Sequence, residues 1–174
     1  MNERLILESV DAPAVRLRAI TESDLDDLRV WKNANRAAFF FKDEISPEDQ
    51  KRWFKGYLER PKDFMFMVEA EGGRAGCMGF RVLESGAADC YNIIGALHSR
   101  VRGVMSAAMA VMCSYIRDVH SKKVGCLVIK ENPVVGWYTG RCAYRMAAQK
   151  SDYVVLELDE TRFKPVPYRI RRGE

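Results

Sequence analysis

Two arginines on a glycine-containing turn, Ser99-Arg100-Val101-Arg102-Gly103, stand directly before a long apolar run, Val104 to Val119. A helix starting there points unpaired backbone N–H groups at the turn, and its first residues (Val104, Met105, Ser106, Ala107) carry the positive end of the helix dipole. Guanidinium groups beside such donors make a site for a pyrophosphate. A solvated basic loop is the plain structural alternative. No G-x-G-x-x-G follows a first strand, so the dinucleotide fingerprint of a Rossmann fold is absent. His98 adjoins the turn, where contact with phosphate or a structural role is expected. His120 ends the apolar run, where positive charge is favourable without any function. Cys77, Cys90, Cys113, Cys126 and Cys142 are scattered, odd in number and set among apolar residues. With no C-x-x-C pair, neither a zinc site nor a disulfide framework is expected; buried free thiols in a reducing cytoplasm are. A second group is aromatic. Phe39, Phe40 and Phe41 cannot all face one core, so this segment is expected to line a cleft or an interface. Trp31, Phe39 and Phe40 are candidates for stacking on a sugar or a base. Core packing is the alternative for Trp31 and Trp53, and exposed aromatics fit a homodimer contact equally well.

These groups need a scaffold. At 174 residues, 48% of them hydrophobic, the chain suits a single domain, 1–174, with a substantial core. No apolar run approaches the roughly 20 residues that span a membrane, and Met1 to Glu8 lacks the pattern of a signal peptide. The net charge of +4 is mild. The basic cluster Arg169 to Arg172 reads as part of a solvated tail, 159–174, rather than a nucleic-acid surface.

Alternation of Val15, Leu17 and Ala19 with Arg16 and Arg18 predicts a first strand. Thr21-Glu22-Ser23-Asp24 resembles a capping box ahead of a helix to about Asn33, with Leu25, Leu28 and Trp31 at helical spacing. Ser46-Pro47-Glu48-Asp49 opens a second helix, to about Arg60. Strands are predicted over Asp63–Ala70, Arg74–Leu83 and Ala88–Leu97. The apolar end of the last, Ile93 to Leu97, suggests burial on both faces. The helix from Val104, a strand over Val124–Ile129, a short helix after Asn132-Pro133 and strands over Tyr144–Gln149 and Tyr153–Leu158 complete the order.

From Val15 to Leu158 this order resembles the GNAT superfamily of acyl-CoA N-acyltransferases. The resemblance implies an α+β fold: a mostly antiparallel mixed sheet of about six to seven strands, about four helices, and a V-shaped splay between the fourth and fifth strands. The family's pyrophosphate motif, Q/R-x-x-G-x-G/A, fits in two registers. Starting at Arg102, Met105 stands for the glycine and Ala107 is last; starting at Arg100, Gly103 is the glycine and Met105 is last. In either register a methionine replaces a small residue and is expected to crowd the backbone approach to phosphate. The later motif N-x-x-(A/S)-x-x-(L/F)-Y-x-x-x-G-F resembles Asn132 to Tyr138 with one residue fewer, and Cys142-Ala143-Tyr144 stands where Leu-Gly-Phe is usual.

By that resemblance, acetyl-CoA or another acyl-CoA is the co-substrate and a small-molecule primary amine the acceptor. Its pantetheine arm pairs with the freed edge of the fourth strand, here Tyr91 to Leu97 with Ile94, Gly95, Ala96 and Leu97 at its end. A backbone N–H near Ile94 or Gly95 stabilises the oxyanion. Asn132 holds the pantetheine or neighbouring main chain, and Tyr138 protonates the leaving thiolate. Asp89, Tyr91 and His98 are the candidates for the base, although a water chain suffices for an amine titrating near about pH 8. The stretch from Val30-Trp31-Lys32-Asn33 through Trp53-Phe54 resembles GNAT enzymes acting on amino-sugar nucleotides, and also the ribosomal-protein N-terminal acetyltransferases. It assigns Trp31, Asn33, Phe39, Phe40 and Tyr91 to the acceptor. An N-terminal peptide acceptor, or a divergent domain that binds without CoA or uses a carrier-protein thioester, are the alternatives.

Overall fold

Helices laid on both faces of one nine-stranded sheet position the site. The computed structural model describes residues 5–71, 73–97 and 102–173. In chain order the elements are β1 (Leu5–Ser9), β2 (Arg16–Ala19), α1 (Leu25–Ala34), α2 (Pro47–Leu58), β3 (Asp63–Ala70), β4 (Gly73–Val82), β5 (Ala88–Gly95), α3 (Val104–Val119), β6 (Val124–Ile129), α4 (Val134–Arg141), β7 (Tyr144–Gln149), β8 (Tyr153–Leu158) and β9 (Tyr168–Arg172). The sheet order is β7-β8-β6-β5-β4-β3-β2-β1-β9. Every pairing is antiparallel except β5 with β6.

This is the expected mixed α+β architecture with four α-helices, but the sheet has nine strands rather than six or seven. The surplus is β1 and β9. Arg169 to Arg172 is not a loose tail: Leu5↔Arg172 through Ser9↔Tyr168 pair as an antiparallel ladder, and Arg171 Nε meets Glu8 Oε2 at 2.9 Å. β9 is an outermost strand with mostly exposed side chains, so it carries none of the hydrophobic alternation that betrays a strand in sequence.

Strand periodicity sorts the core into two layers. On β3, Phe64, Phe66 and Val68 face the cluster built around α3, whereas Met65 and Met67 face the cluster under α1 and α2 with Leu25, Leu28, Trp31 and Tyr57. The apolar α3 fills the first layer with Val104, Ala108, Met109, Val111 and Met112. All five cysteines are buried and unpaired.

One charged knot fixes α1 to the sheet. Asp24 is fully buried; it takes two bonds from Arg18 (2.9 and 3.0 Å), one from Arg74 (3.0 Å) and one from the Thr21 N–H (2.8 Å). Burial pushes its carboxyl up, but the Arg18 and Thr21 donors outweigh that and hold it below the usual range. Asp24→Asn removes the anion that Arg18 and Arg74 share, although Arg18 keeps Glu69 and Arg74 keeps Asp27, and is expected to lower the unfolding free energy by about 2 kcal/mol in urea at pH 7. Because the native pKa lies below the unfolded one, the contribution is full above about pH 4 and is lost as pH falls through the native value. The variant should therefore lose less stability than the parent on acidification to pH 3. Equal acid losses in both would remove Asp24 from this role.

Candidate functional site

β5 and β6 run together for two residue pairs only, Ala88↔Val124 and Asp89↔Gly125. Beyond them the strands separate, while β5 stays on its β4 ladder as far as Gly95↔Gly76. The gap is a cleft of about 550 Å³, lined by residues 89–95 of β5, 127–129 of β6, Asn132, Val134 and Tyr138, and by Phe39, Phe40 and Phe41 from the α1–α2 connection. The end of β5 is accordingly less buried than its apolar sequence predicts: Gly95 and Leu97 are exposed.

A bulge interrupts β5 in mid-cleft. Between the pairs Cys77↔Ile94 and Gly79↔Tyr91, β5 has two residues, Asn92 and Ile93, where β4 has only Met78. Asn92 takes a left-handed φ of 50° there, a conformation asparagine tolerates better than most residues. Its side chain turns towards α1, where Lys32 Nζ donates to Asn92 Oδ1 at 2.7 Å and lies 3.4 Å from the centroid of Phe39. Cys77 Sγ donates to the Asn92 carbonyl at 3.3 Å. Burial lowers the Lys32 amine to about 8 and pushes the Cys77 thiol up to about 12.

Under α1 and α2 lies a second cavity of about 330 Å³, walled mainly by apolar side chains, including Leu28, Phe41, Ile45, Trp53 and Met65, with Lys32, Asp49, Gln50 and Asn92 as polar points. The segment over it is pinned at both ends. Asn33 clamps Ile45 through both main-chain groups (2.8 and 2.9 Å). Asn132 Nδ2 donates to the Ala38 carbonyl at 3.1 Å, while its Oδ1 accepts from Val134 N–H at 3.0 Å and starts α4.

The residues singled out in the sequence fall into different places. Tyr138 is buried on the cleft wall, 5.0 Å from Trp137 and 5.2 Å from Tyr144 between ring centroids, with its hydroxyl against the Cys126 thiol; burial holds the phenol well above its ordinary value. Asp89 also lines the cleft but is paired with Arg81 (2.8 Å). Burial raises its carboxyl and Arg81 opposes the rise. The Tyr91 phenol donates to Asp63, and burial, then Asp63, push it far up. Phe39 and Phe40 line the cleft, Phe39 beneath Lys32 and Phe40 edge-on to Tyr153. Trp31 packs in the α1–α2 core and lines neither cavity; Asn33 acts on the backbone of Ile45. Trp53, weighed as a core residue, lines the smaller cavity and stacks on Tyr57.

At the phosphate turn, His98 and Arg100 lie outside the described residues. Arg102 is exposed, and Gly103 precedes α3 with φ 81°, a conformation that favours glycine. The Met105 side chain runs back to the sheet, so that a Cβ on Gly76 would lie 2.8 Å from Met105 Sδ. Gly76 provides the room, and Ser106 accepts from Trp137 Nε1 at 3.0 Å, tying α3 to α4. Ala107 donates to the Gly103 carbonyl within the first turn (2.9 Å), and Ala96 N–H extends the β4 pairing to Ala75 (2.8 Å). Phe41 lines both cavities, in keeping with the expectation for the 39–41 segment, whereas Lys32, Asn92 and Gln50 escaped sequence reasoning; the one available signal was a lysine beside Trp31 on the otherwise amphipathic α1. Among the described residues no cluster of three or more His, Cys, Asp or Glu could hold a metal, and no helix is long and apolar enough to cross a membrane.

A sheet parted in this way, with a glycine-started helix behind it, is the architecture of an acyl-CoA N-acyltransferase. The chain belongs to the GNAT acetyltransferase family: the family profile described as acetyltransferase (GNAT) domain matches residues 14–136. That makes it an enzyme whose co-substrate is an acyl-CoA. Among curated proteins no sequence matches it. Three solved structures share the fold. One described as apo FdhC, a nucleotide-linked sugar GNAT, has a TM-score of 0.74 at 12% identity over 94% of this chain and 93% of its own. Spermidine N-acetyltransferase from Vibrio cholerae, solved with CoA and spermine, has 0.70 at 16% over 86% and 97%. The Salmonella typhimurium acetyl transferase that modifies the N-terminal serine of ribosomal protein L7/L12 has 0.66 at 16% over 94% and 97%.

Asn132→Ala removes both the acceptor for Val134 N–H ahead of α4 and the tether to Ala38. It is expected to cost about 1–2 kcal/mol and to speed hydrogen exchange at amides 36–41 ahead of the rest of the chain. Unchanged exchange there would show that the tether does not hold the connection.

Proposed function

We propose that this enzyme transfers an acetyl group from acetyl-CoA to the primary amine of a small molecule, with an amino sugar or sugar nucleotide as the preferred acceptor. The observation that carries the donor half is the parting of β5 from β6. It leaves main-chain donors and acceptors of Tyr91 to Gly95 facing a cleft of about 550 Å³, in which a pantetheine arm can be laid as an added strand. The Arg102-Gly103 turn and the start of α3, Val104 to Ala107, take the pyrophosphate. An N–H at the bulge, near Ile94, meets the developing oxyanion.

The chemistry needs no covalent nucleophile. The free amine attacks the thioester carbon, the C–N bond forms and the C–S bond breaks. Tyr138, kept protonated by burial, gives its proton to the departing thiolate. Asn132 lies where it meets the middle of the donor.

For the acceptor, the pinned segment 36–46 favours an enclosed small-molecule pocket over an open peptide groove. Trp53 and Phe41 offer flat faces for a sugar ring. The likeness to a nucleotide-linked sugar GNAT points the same way. Five buried, unpaired thiols suit a reducing cytoplasm.

The test is thiol release from acetyl-CoA in the presence of amino sugars, amino-sugar nucleotides, spermidine and a serine-started peptide. Turnover with an amino sugar or its nucleotide, and not with the peptide, is expected. Tyr138→Phe should lower kcat by about 100-fold while leaving acetyl-CoA affinity unchanged, and Arg102→Ala should weaken that affinity. Undiminished kcat in Tyr138→Phe would end its role as the acid; preference for the peptide would replace the acceptor reading.

A further inference from the structure

Lys32, Phe41, Asn92 and Ile94 line both cavities, so the donor cleft and the acceptor pocket meet at the β5 bulge. Lys32 is the only ionisable side chain of these four. We propose that Lys32 is a catalytic residue, the base that takes the proton from the incoming acceptor ammonium. The inference rests on the two-cavity reading above.

Placement is the first argument. An amine reaching a thioester laid along β5 from the pocket under α1 and α2 must pass the Lys32–Asn92 pair. The second is what surrounds the Nζ. From β5, Asn92 Oδ1 accepts at 2.7 Å, and the Phe39 ring lies beneath at 3.4 Å. From β4 comes Cys77, a thiol that burial keeps neutral. From α2 comes Asp49, already bonded by Ser46 (2.8 Å) and Arg52 (2.8 Å). Along the cleft, Asp89 is occupied by Arg81, Tyr91 by Asp63, and Tyr138 stays protonated. Among the described residues no carboxylate forms an ion pair with Lys32. A largely buried amine without a counter-charge favours its neutral form, and an ammonium brought beside it strengthens that preference. In the neutral amine two N–H bonds serve Asn92 and the Phe39 face, and the lone pair is left for the newcomer.

The protons balance. R–NH3+ gives one to Lys32 Nζ and becomes R–NH2, which attacks. The second leaves the same nitrogen to water after C–N bond formation, while Tyr138 protonates the thiolate and takes a proton back from water. Lys32 then returns its proton to water. Deprotonation by Asp89, Tyr91 or His98 is not required.

Two measurements on the full chain test this. Lysines dimethylated with 13C-formaldehyde are titrated by NMR, and the Lys32 signal is assigned by its loss in Lys32→Arg. It is expected to titrate near 8, well below the other lysines; titration together with them overturns the proposal. Acetyl transfer is then measured at pH 8, where a neutral fraction of Lys32 is present, with 6-amino-6-deoxyglucose, whose aliphatic amine is mostly protonated, and with hydroxylamine, which is free. Lys32→Met and Lys32→Arg should both lose about 100-fold in kcat/KM with the amino sugar and less than tenfold with hydroxylamine. Equal losses with the two acceptors, or parental activity in Lys32→Arg, also overturn it, the latter pointing to a cation that binds an acceptor anion. If neither acceptor is used by the parent, the acceptor reading fails, and the titration still decides the state of Lys32.

Discussion

The structure turns on a ladder that stops. Among the described residues β5 and β6 form the only parallel pair in the sheet, and it ends after Asp89↔Gly125. Backbone N–H and C=O groups inside a protein are rarely left without partners, so a strand in mid-sheet that is paired on one side only is a docking edge. Three features keep it from closing. The bulge at Asn92-Ile93 takes β5 out of register and twists it away. Tyr138, in the middle of α4, and Asn132, just before that helix, line the gap between the strands. The α1–α2 connection, pinned to Asn132, crosses the mouth of the cleft.

The bulge also joins the two halves of the site. In a regular strand the side chain at 92 would alternate with its neighbours; the positive φ re-aims it at Lys32 and brings α1 into the cleft. The position of Lys32 then depends on how α1 is held, which leads back to the buried Asp24 with Arg18 and Arg74. Sequence neighbours at the start of α1 thus set geometry at its far end. The small residue that the pyrophosphate motif lacks at Met105 is made good elsewhere: Gly76, on β4, leaves space for the methionine.

How much of this could be read from the sequence follows the physics of each signal. Strands β3, β6, β7 and β8 and helix α3 agree with the sequence to the residue, because turn residues or abrupt changes of pattern bound them. β9 was missed because an outermost strand needs no apolar face. The apolar end of β5 suggests double burial in the sequence, whereas in the fold it borders the cleft where β5 and β6 part. Local motifs mark part of the cleft's surroundings in the sequence: an arginine-glycine turn before α3 and Asn132 to Tyr138 along the cleft wall. The acceptor side is not so marked, because Lys32, Asn92 and Trp53 come from three separate elements and meet only through the bulge. Trp31 shows the converse, an aromatic at a suggestive spacing that the helix turns into the core.

Hydrogen exchange with and without CoA tests the open β5 edge most directly. Binding is expected to slow exchange at amides 91–97 and in the first turn of α3 while leaving β9 and β1 unchanged. CoA that fails to bind, or that protects other parts of the sheet and leaves 91–97 as exposed as before, would contradict the account.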